Sequence, residues 1–521
     1  MQIVENKALL LRTRSPQKFG IIPRSKIVGQ THDGAHEVLV YWGLDEVRVL
    51  RNLGVEEAPS PILRNYTWPA RFKPFEHQKD TAAFLTLHRR AFCFNDPGTG
   101  KTLSALWAAD YLMLRKQVRR VLILCPLSIM DAAWLSEIHR SVIHRSAIIA
   151  HHTQAERRVR MIEGDYEFVI VNYDGLKLVA DAVIKDGTFD LVIVDEANAY
   201  KNDRTERFKT LAKILKPDTM LWMMTGTPAA QSPEDAFGLA KLVNPTGIPK
   251  YFTQWRDLVM NKITTFKWAP KRDAQEKVFR ALQPAIRYTK EECLDLPPVL
   301  TQTREVPLTL QQVKYYKQIK EQMITRAAGE TITAVNAAAG VNKLLQISAG
   351  SVYTDNKEVV EFDCAPRLSV LKEVIEDTDR KVIVFVPYRH SMAVLFDALS
   401  KFGVEQIHGD ISTGQRNSIF KRFQNEDSIR ILLIQPQAAA HGVTLTRADT
   451  VVFWGPVMST ETYLQCIART DRIGQDSEHV TVVHLQGSDI ERRMYSALEK
   501  RVENHNLLIQ MYADELGLSK S

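Results

Sequence analysis

Residues 94–106 read FNDPGTGKTLSAL, which is one residue short of a glycine-rich phosphate loop. The loop is written G-x-x-x-x-G-K-[ST], and here Asn95 stands in the place of the first glycine. The flanks supply the context that such a loop needs. The apolar run AFCF precedes it as a candidate strand, and an amphipathic segment follows it as a candidate helix. Gly98, Thr99 and Gly100 would bring backbone N–H groups close to phosphate oxygens, and a helix starting near Lys101 adds its positive end. In this pattern Lys101 reaches the β- and γ-phosphates and the Thr102 hydroxyl holds Mg²⁺.

A second motif strengthens the first. Residues 191–196, LVIVDE, read as a buried strand ending in two adjacent carboxylates. Asp195 fits a metal-coordinating role through Mg²⁺, and Glu196 fits polarising the attacking water. A solvated loop end is the plain alternative for such a pair, and the phosphate loop upstream weighs against it.

Size and composition set the frame. At 521 residues the chain calls for two or three domains. Its 45% hydrophobic and 25% charged content is that of an ordinary globular protein. The first residues lack the pattern of a signal peptide, and no apolar run approaches the roughly 18 residues of a membrane span. The five cysteines lie far apart, which suggests neither a zinc pair nor a disulfide framework and points to a reducing setting. A net charge of +7 is compatible with an anionic polymer as partner and equally with an ordinary surface balance.

The organisation changes along the chain. Residues 1–62 hold short apolar runs separated by turn signals, a β-rich module of small-barrel type, with a linker expected near EEAPSP at residues 56–61. Six Lys/Arg against one Glu in residues 1–30 leave a phosphate-facing surface or a solvated cap equally open. Of the Tyr41-Trp42 pair, a core placement is the simpler reading. From Arg71, apolar runs alternate with amphipathic segments. VLILCP, FVIVNY, LVIVDEA and MLWMMTG, then KVIVFVPY, ILLIQP, TVVFWG and VTVVHLQ, predict two α/β units with parallel sheets over 71–298 and 299–521. A mostly helical stretch from about residue 229 to residue 348 lies between the two sets of strands. In the tail, Ile490, Met494, Leu498 and Val502 make one helical stripe that should pack back onto the body.

Taken together, these motifs resemble the SWI/SNF-type branch of the superfamily-two helicase-like ATPases, from about Phe72 to the C-terminal tail. That family commonly carries an acidic or amide residue where other phosphate loops have their first glycine, so Asn95 is similar to its pattern. The resemblance implies two tandem RecA-like lobes with ATP and Mg²⁺ as cofactors. FKPFEHQ resembles the segment whose glutamine, here Gln78, reads adenine. CPLSIMDAAW and VNYDGL resemble nucleic-acid-contacting segments centred on Ser128 and on Asn172 with Tyr173. MTGTPAA is similar to the segment coupling ATP to nucleic acid through Thr225 and Thr227. In the second lobe, VIVFVPYRH and IHGDISTGQR resemble DNA-facing motifs, implying contacts from Arg389 and Gly409, and QPQAAAHGV resembles a coupling motif that includes Gln437. QCIARTDRIGQ is the most specific match.

The spacing of Gln465, Arg469 and Arg472 places them on one face of a predicted helix at i, i+4 and i+7. In the resembling family, Gln465 serves coupling and the two arginines stabilise charge on the γ-phosphate. Three departures from the family pattern stand out: Asn198 in place of a histidine, Ala438-Ala439 with His441 in place of a glycine-rich centre, and Gln231-Ser232 as a loose match. None removes a group that hydrolysis needs.

The expected activity is ATP-driven translocation on duplex or forked DNA, with single strands as another possible track. Such a motor would be a monomer in the cytoplasm of a bacterium, or of the host if the chain is viral. A strand-separating DNA or RNA helicase remains open, as does an RNA-polymerase-recycling ATPase with residues 1–62 docking a protein. A non-enzymatic ATP-gated DNA clamp also remains open. Arg157, Arg158 and Arg160 read as phosphate contacts or as a solvated helix face, and KWAPKR at 267–272 as a duplex contact or a surface loop.

Overall fold

The computed structural model describes the chain except residues 70–72, 227–231, 264–267, 294–295, 330–333, 354–357, 440–442, 473 and 501–521. The expectations placed on Thr227, Gln231, Lys267, His441 and Val502 therefore lie outside the described residues. The chain divides into two compact units. The first holds Met1–Ala229 and Pro233–Cys293, and the second holds Leu294–Ser521 with Ala230–Ser232.

The first unit is built on a seven-stranded parallel sheet in the order Ala285–Ile286, Arg90–Cys93, Met220–Met224, Phe189–Asp195, Arg120–Cys125, Phe168–Asn172 and Ala147–Ile149. Every strand pair in it is parallel. Helices cover both faces, which is why the central strands are apolar at nearly every position and fully buried, Val121 through Cys125 and Leu191 through Val194 among them. The two faces of the sheet form two separate cores, one centred on Leu122, Val169 and Val194 and the other on Ile123, Ile170 and Trp222.

The N-terminal module is a four-stranded antiparallel sheet in the order Gln2–Val4, Ala8–Thr13, His36–Tyr41 and Ser25–Gln30, followed by the helix Leu44–Asn52. It belongs to the same compact unit as the seven-stranded sheet. The linker expected at residues 56–61 is instead packed. Ala58, Ser60 and Ile62 are buried, and Pro59 O accepts the Trp42 indole N–H at 2.8 Å. Ser60 and Thr86 share a hydroxyl hydrogen bond of 2.7 Å, and Arg48 Nη2 donates to Thr86 O at 2.7 Å. Proline and acidic residues give the segment a linker's composition, while its neighbours in space make it part of the core. Trp42 is core as expected, but Tyr41 is 42% exposed and carries the Arg24 guanidinium 3.9 Å above its ring.

The second unit has a six-stranded parallel sheet in the order Val299–Glu305, Val480–Gln486, Ala448–Phe453, Lys381–Phe385, Ile431–Ile434 and Val404–Ile407. The helix Asp489–Glu499 buries Ile490, Met494 and Leu498 in its core, as the stripe predicts. Its Glu491 is fully buried against Arg367, Nη2 to Oε1 at 2.7 Å, and also accepts from the backbone N–H groups of Gly487 and Ser488.

Candidate functional site

In the first unit the chemistry-bearing residues gather at the carboxyl ends of neighbouring strands, where open α/β sheets bind their ligands. Arg90–Cys93 runs into the phosphate loop, Met220–Met224 into Thr225, and Phe189–Asp195 ends on Asp195 itself. Met224 lies in register with both Cys93 and Asp195, and the Thr225 N–H donates to Cys93 O at 3.0 Å. The next two strands of the sheet deliver the segments of Ser128 and of Asn172 with Tyr173.

The loop has the backbone of a phosphate cradle. Gly98 and Gly100 have φ of +92° and +86°, a region in which other residues are strained. A Cβ at Gly100 would also lie 2.1 Å from Gln78 Nε2. The helix Lys101–Leu114 starts directly after Gly100, so the first-turn N–H groups that a helix cannot bond internally face the loop. Lys101 Nζ donates to Asn95 O at 2.7 Å. Gln78 is buried beneath the loop, donating to Thr99 O at 3.2 Å and accepting from Phe75 N at 3.1 Å. His77, which the sequence did not single out, shares the same carbonyl at 2.8 Å.

Asn95 is explained by its neighbours. It is 1% exposed, its Nδ2 donates to Thr81 Oγ1 at 2.8 Å, and its Oδ1 accepts the Tyr288 N–H at 3.0 Å. The side chain that breaks the glycine pattern thus ties the loop to the helix Glu76–Leu87 and to the segment after the strand Ala285–Ile286.

At the neighbouring strand end, both Asp195 oxygens have donors: Glu196 N to Oδ1 and Trp134 Nε1 to Oδ2, each at 3.0 Å. Burial pushes the Asp195 carboxyl above the usual carboxylate range, opposed by the nearby Lys101 charge and by these two N–H groups. Glu196 has φ of +49°, a left-handed backbone that costs a non-glycine residue about 1–2 kcal/mol and persists where the surroundings impose it. Tyr173 helps impose it, because its hydroxyl donates to Asp195 O and, at 3.3 Å, to Glu196 O. Tyr173 is itself buried, with its ring edge-on to Tyr200 at 5.5 Å, so its side chain faces the carboxylate strand rather than the surface. Asn172 and Ser128 are half-buried, and Asn172 Oδ1 lies 3.5 Å from Arg158 Nη1. Arg158 is buried and donates to His152 O, so of the three arginines considered as phosphate contacts it is an internal strut.

In the second unit, Arg389, Gly409 and Gln437 follow the ends of three adjacent strands, Lys381–Phe385, Val404–Ile407 and Ile431–Ile434. Arg389 pairs with Asp410 at 2.9 Å and contacts His408 Nδ1 at 2.8 Å. The Gly409 N–H donates to Gln435 Oε1 at 3.3 Å, and Gln437 is exposed.

The expectation of a single helical face for Gln465, Arg469 and Arg472 is corrected. The helix Thr460–Ile467 ends before both arginines. The Thr470 N–H and hydroxyl both bond Ile467 O at 3.1 Å, which closes the last turn. Arg469 is 3% exposed, donating to Gln465 O at 2.9 Å and Val443 O at 3.3 Å, while Arg472 Nη1 donates to Thr444 Oγ1 at 3.2 Å. Both arginines are thereby fixed to the segment of Val443 and Thr444.

A phosphate loop beside an Asp–Glu strand end, in a chain with a second parallel-sheet unit, defines the class of two-sheet P-loop proteins. The SNF2-related domain matches residues 77–352, just over half of the chain, and the helicase conserved C-terminal domain matches 366–474. The chain belongs to the SNF2-related family of helicase-like ATPases.

It is 24% identical to the mouse (Mus musculus) chromodomain-helicase-DNA-binding protein 1-like over 89% of this chain and 54% of that protein. It is also 24% identical to putative protein p41 of Acyrthosiphon pisum secondary endosymbiont phage 1, over 76% of this chain and 88% of that one. The chain thus spans about half the length of the mouse relative and most of the phage one. A solved Sulfolobus solfataricus SWI2/SNF2 ATPase core in complex with double-stranded DNA is similar at 20% identity, covering 87% of this chain and 96% of that one with a TM-score of 0.42. Among the described residues no helix is long and apolar enough to cross a membrane.

Proposed function

We propose that this protein hydrolyses ATP to move along duplex DNA and so remodels DNA structures or displaces bound proteins. The observation that carries the reading is the alignment at one sheet edge of the phosphate loop, Thr225, Asp195 with Glu196, and the Ser128 and Asn172 segments, on five neighbouring strands. Gln78 is proposed to read adenine, and Gly98, Thr99, Gly100, Lys101 and Thr102 to hold the phosphates. Glu196 orients the attacking water, Thr225, Thr227 and Gln465 serve coupling, and Arg469 and Arg472 stabilise charge on the transferred phosphoryl group.

The Thr102 hydroxyl and the Asp195 carboxylate are the hard oxygen donors that suit Mg²⁺, which takes its remaining ligands from water and phosphate. When bound, that ion would neutralise charge on the β- and γ-phosphates. Ser128, Asn172, Arg389, Gly409 and Gln437 are proposed to follow the DNA backbone, which implies strong salt sensitivity and little sequence preference. A cytoplasmic setting is proposed in keeping with the phage relative, and a monomer is proposed with it.

The test is the steady-state ATPase rate with no nucleic acid, single-stranded DNA, blunt duplex, forked duplex and RNA. Stimulation by blunt duplex supports the reading, and a further rise with forks favours regression or reannealing. Stimulation by single strands alone would replace it with a strand-separating helicase. No stimulation by any of them would point to a protein partner for residues 1–62.

A further inference from the structure

Trp134 is fully buried, and it alone among the indole hydrogen bonds of the described residues reaches a carboxylate. The indoles of Trp42, Trp222, Trp255 and Trp454 all donate to backbone carbonyls, the ordinary way to satisfy a buried N–H. Trp134 lies in a π-helical turn, Met130–Leu135, which follows the turn Leu127–Ile129 that carries Ser128. A π turn is rare and is found frequently at functional sites. This one aims the indole Nε1 at Asp195 Oδ2, 3.0 Å away. An indole can only donate, so the contact fixes that oxygen as an acceptor facing the turn.

A second tie reaches the same strand end. The Tyr173 hydroxyl, from the segment that begins at Asn172, holds the backbone carbonyls of Asp195 and Glu196. Two segments placed at the neighbouring strand ends therefore converge on the residues proposed to run hydrolysis, one through the carboxylate and one through the main chain.

We propose that Trp134 is a positioning residue through which the segment 127–135 sets the orientation of the Asp195 carboxylate, so that DNA engaging Ser128 changes hydrolysis at the phosphate loop. The proposal rests on the reading of the protein as a DNA-dependent ATPase. It adds the route inside the first unit by which DNA is felt. Trp134 touches neither nucleotide nor DNA in this account and acts only through Asp195.

The experiment compares the full-length wild type with Trp134→Phe, which removes the N–H and keeps an aromatic ring. Two quantities are read: the ratio of ATPase rates with and without a blunt DNA duplex, and the factor by which Mg-ADP changes the affinity for that duplex. By linkage the second factor equals the change that DNA makes in Mg-ADP affinity, and such couplings are commonly about 5–150-fold. In Trp134→Phe both quantities should fall to within about twofold of one, with kcat lowered and KM for ATP little changed. A variant with the wild-type stimulation ratio and coupling factor would overturn the proposal. A wild type that duplex DNA does not stimulate would overturn the functional reading instead.

Should Trp134→Phe fail to fold, ¹⁹F spectra of the full chain labelled with 5-fluorotryptophan decide the question. The resonance moved by Asp195→Asn marks Trp134 among the eight tryptophans, and adding duplex DNA must move that same resonance. No resonance responding to both changes would also overturn it.

Discussion

Asn95 Oδ1 accepts the Tyr288 backbone N–H at 3.0 Å, a bond between residues 193 positions apart that fixes the first position of the phosphate loop. The pairing continues on both sides of it, with the Phe94 N–H on Ile286 O at 2.8 Å and the Asp96 N–H on Tyr288 O at 2.9 Å. A glycine at position 95 would complete the familiar loop pattern and leave the Tyr288 N–H without its partner. Asn95→Gly should therefore destabilise the first unit by about 1–3 kcal/mol, the cost of an unsatisfied buried donor. Asn95→Asp keeps that acceptor but loses the N–H to Thr81 Oγ1 and buries a carboxylate, so it too should be less stable than wild type. Calorimetric melting of both variants checks this, and equal stability for Asn95→Gly and wild type would refute it.

Lys101, proposed as the cation for the phosphates, donates in this structure to Asn95 O at 2.7 Å. Lys101→Ala should lower the ATPase rate by at least about a hundredfold, the usual cost of losing one charge-stabilising donor, while DNA affinity stays measurable. Chelating Mg²⁺ should abolish hydrolysis in the wild type to a similar degree. Retained hydrolysis in Lys101→Ala would mean that the nucleotide is held elsewhere.

The two arginines after residue 467 should separate by their burial. Arg472→Ala should lower kcat by about 10³-fold with ATP affinity retained, as for other charge-stabilising arginines, and leave the melting temperature close to that of wild type. Arg469 is 3% exposed and bonded to two carbonyls, so Arg469→Ala should lower kcat and also the melting temperature. Removing it leaves buried acceptors unmatched. Equal melting curves for the two variants would contradict this division.

Both parallel sheets are legible in the sequence because strands buried on two faces read as unbroken apolar runs, LVIVD and KVIVF among them. The phosphate loop and the Asp–Glu pair are legible because their chemistry demands fixed residue types at fixed spacing. The bond from Trp134 to Asp195 leaves no such trace: a π turn has no composition of its own, and CPLSIMDAAW carries only a resemblance centred on Ser128. The same holds for residues 56–61, where proline and acidic residues hide a tertiary bond to Trp42. The helix that would have carried Arg469 and Arg472 ends at Ile467, because their partners, Val443 and Thr444, come from a distant part of the chain that periodicity cannot see.

His484 should make the second unit sensitive to acid. Its ring is fully buried, stacked on Tyr495 at 4.1 Å, with Nε2 against the Tyr463 hydroxyl at 2.9 Å and Nδ1 3.4 Å from the Glu499 carboxylate. Burial lowers its pKa from 6.5 to about 4, outweighing Glu499, which is 46% exposed and screened by water. The folded state therefore binds fewer protons than the unfolded state between about pH 4 and 6.5. The stability that the neutral ring supports is complete above about pH 6.5 and is lost as the pH falls toward 4, a change on the order of 3 kcal/mol. Denaturant unfolding of the second unit at pH 7.5, 6 and 5 should show that decline. His484→Gln, which cannot titrate, should start less stable at pH 7.5 and decline less steeply. A variant with the same pH slope as wild type would assign the acid sensitivity to other groups.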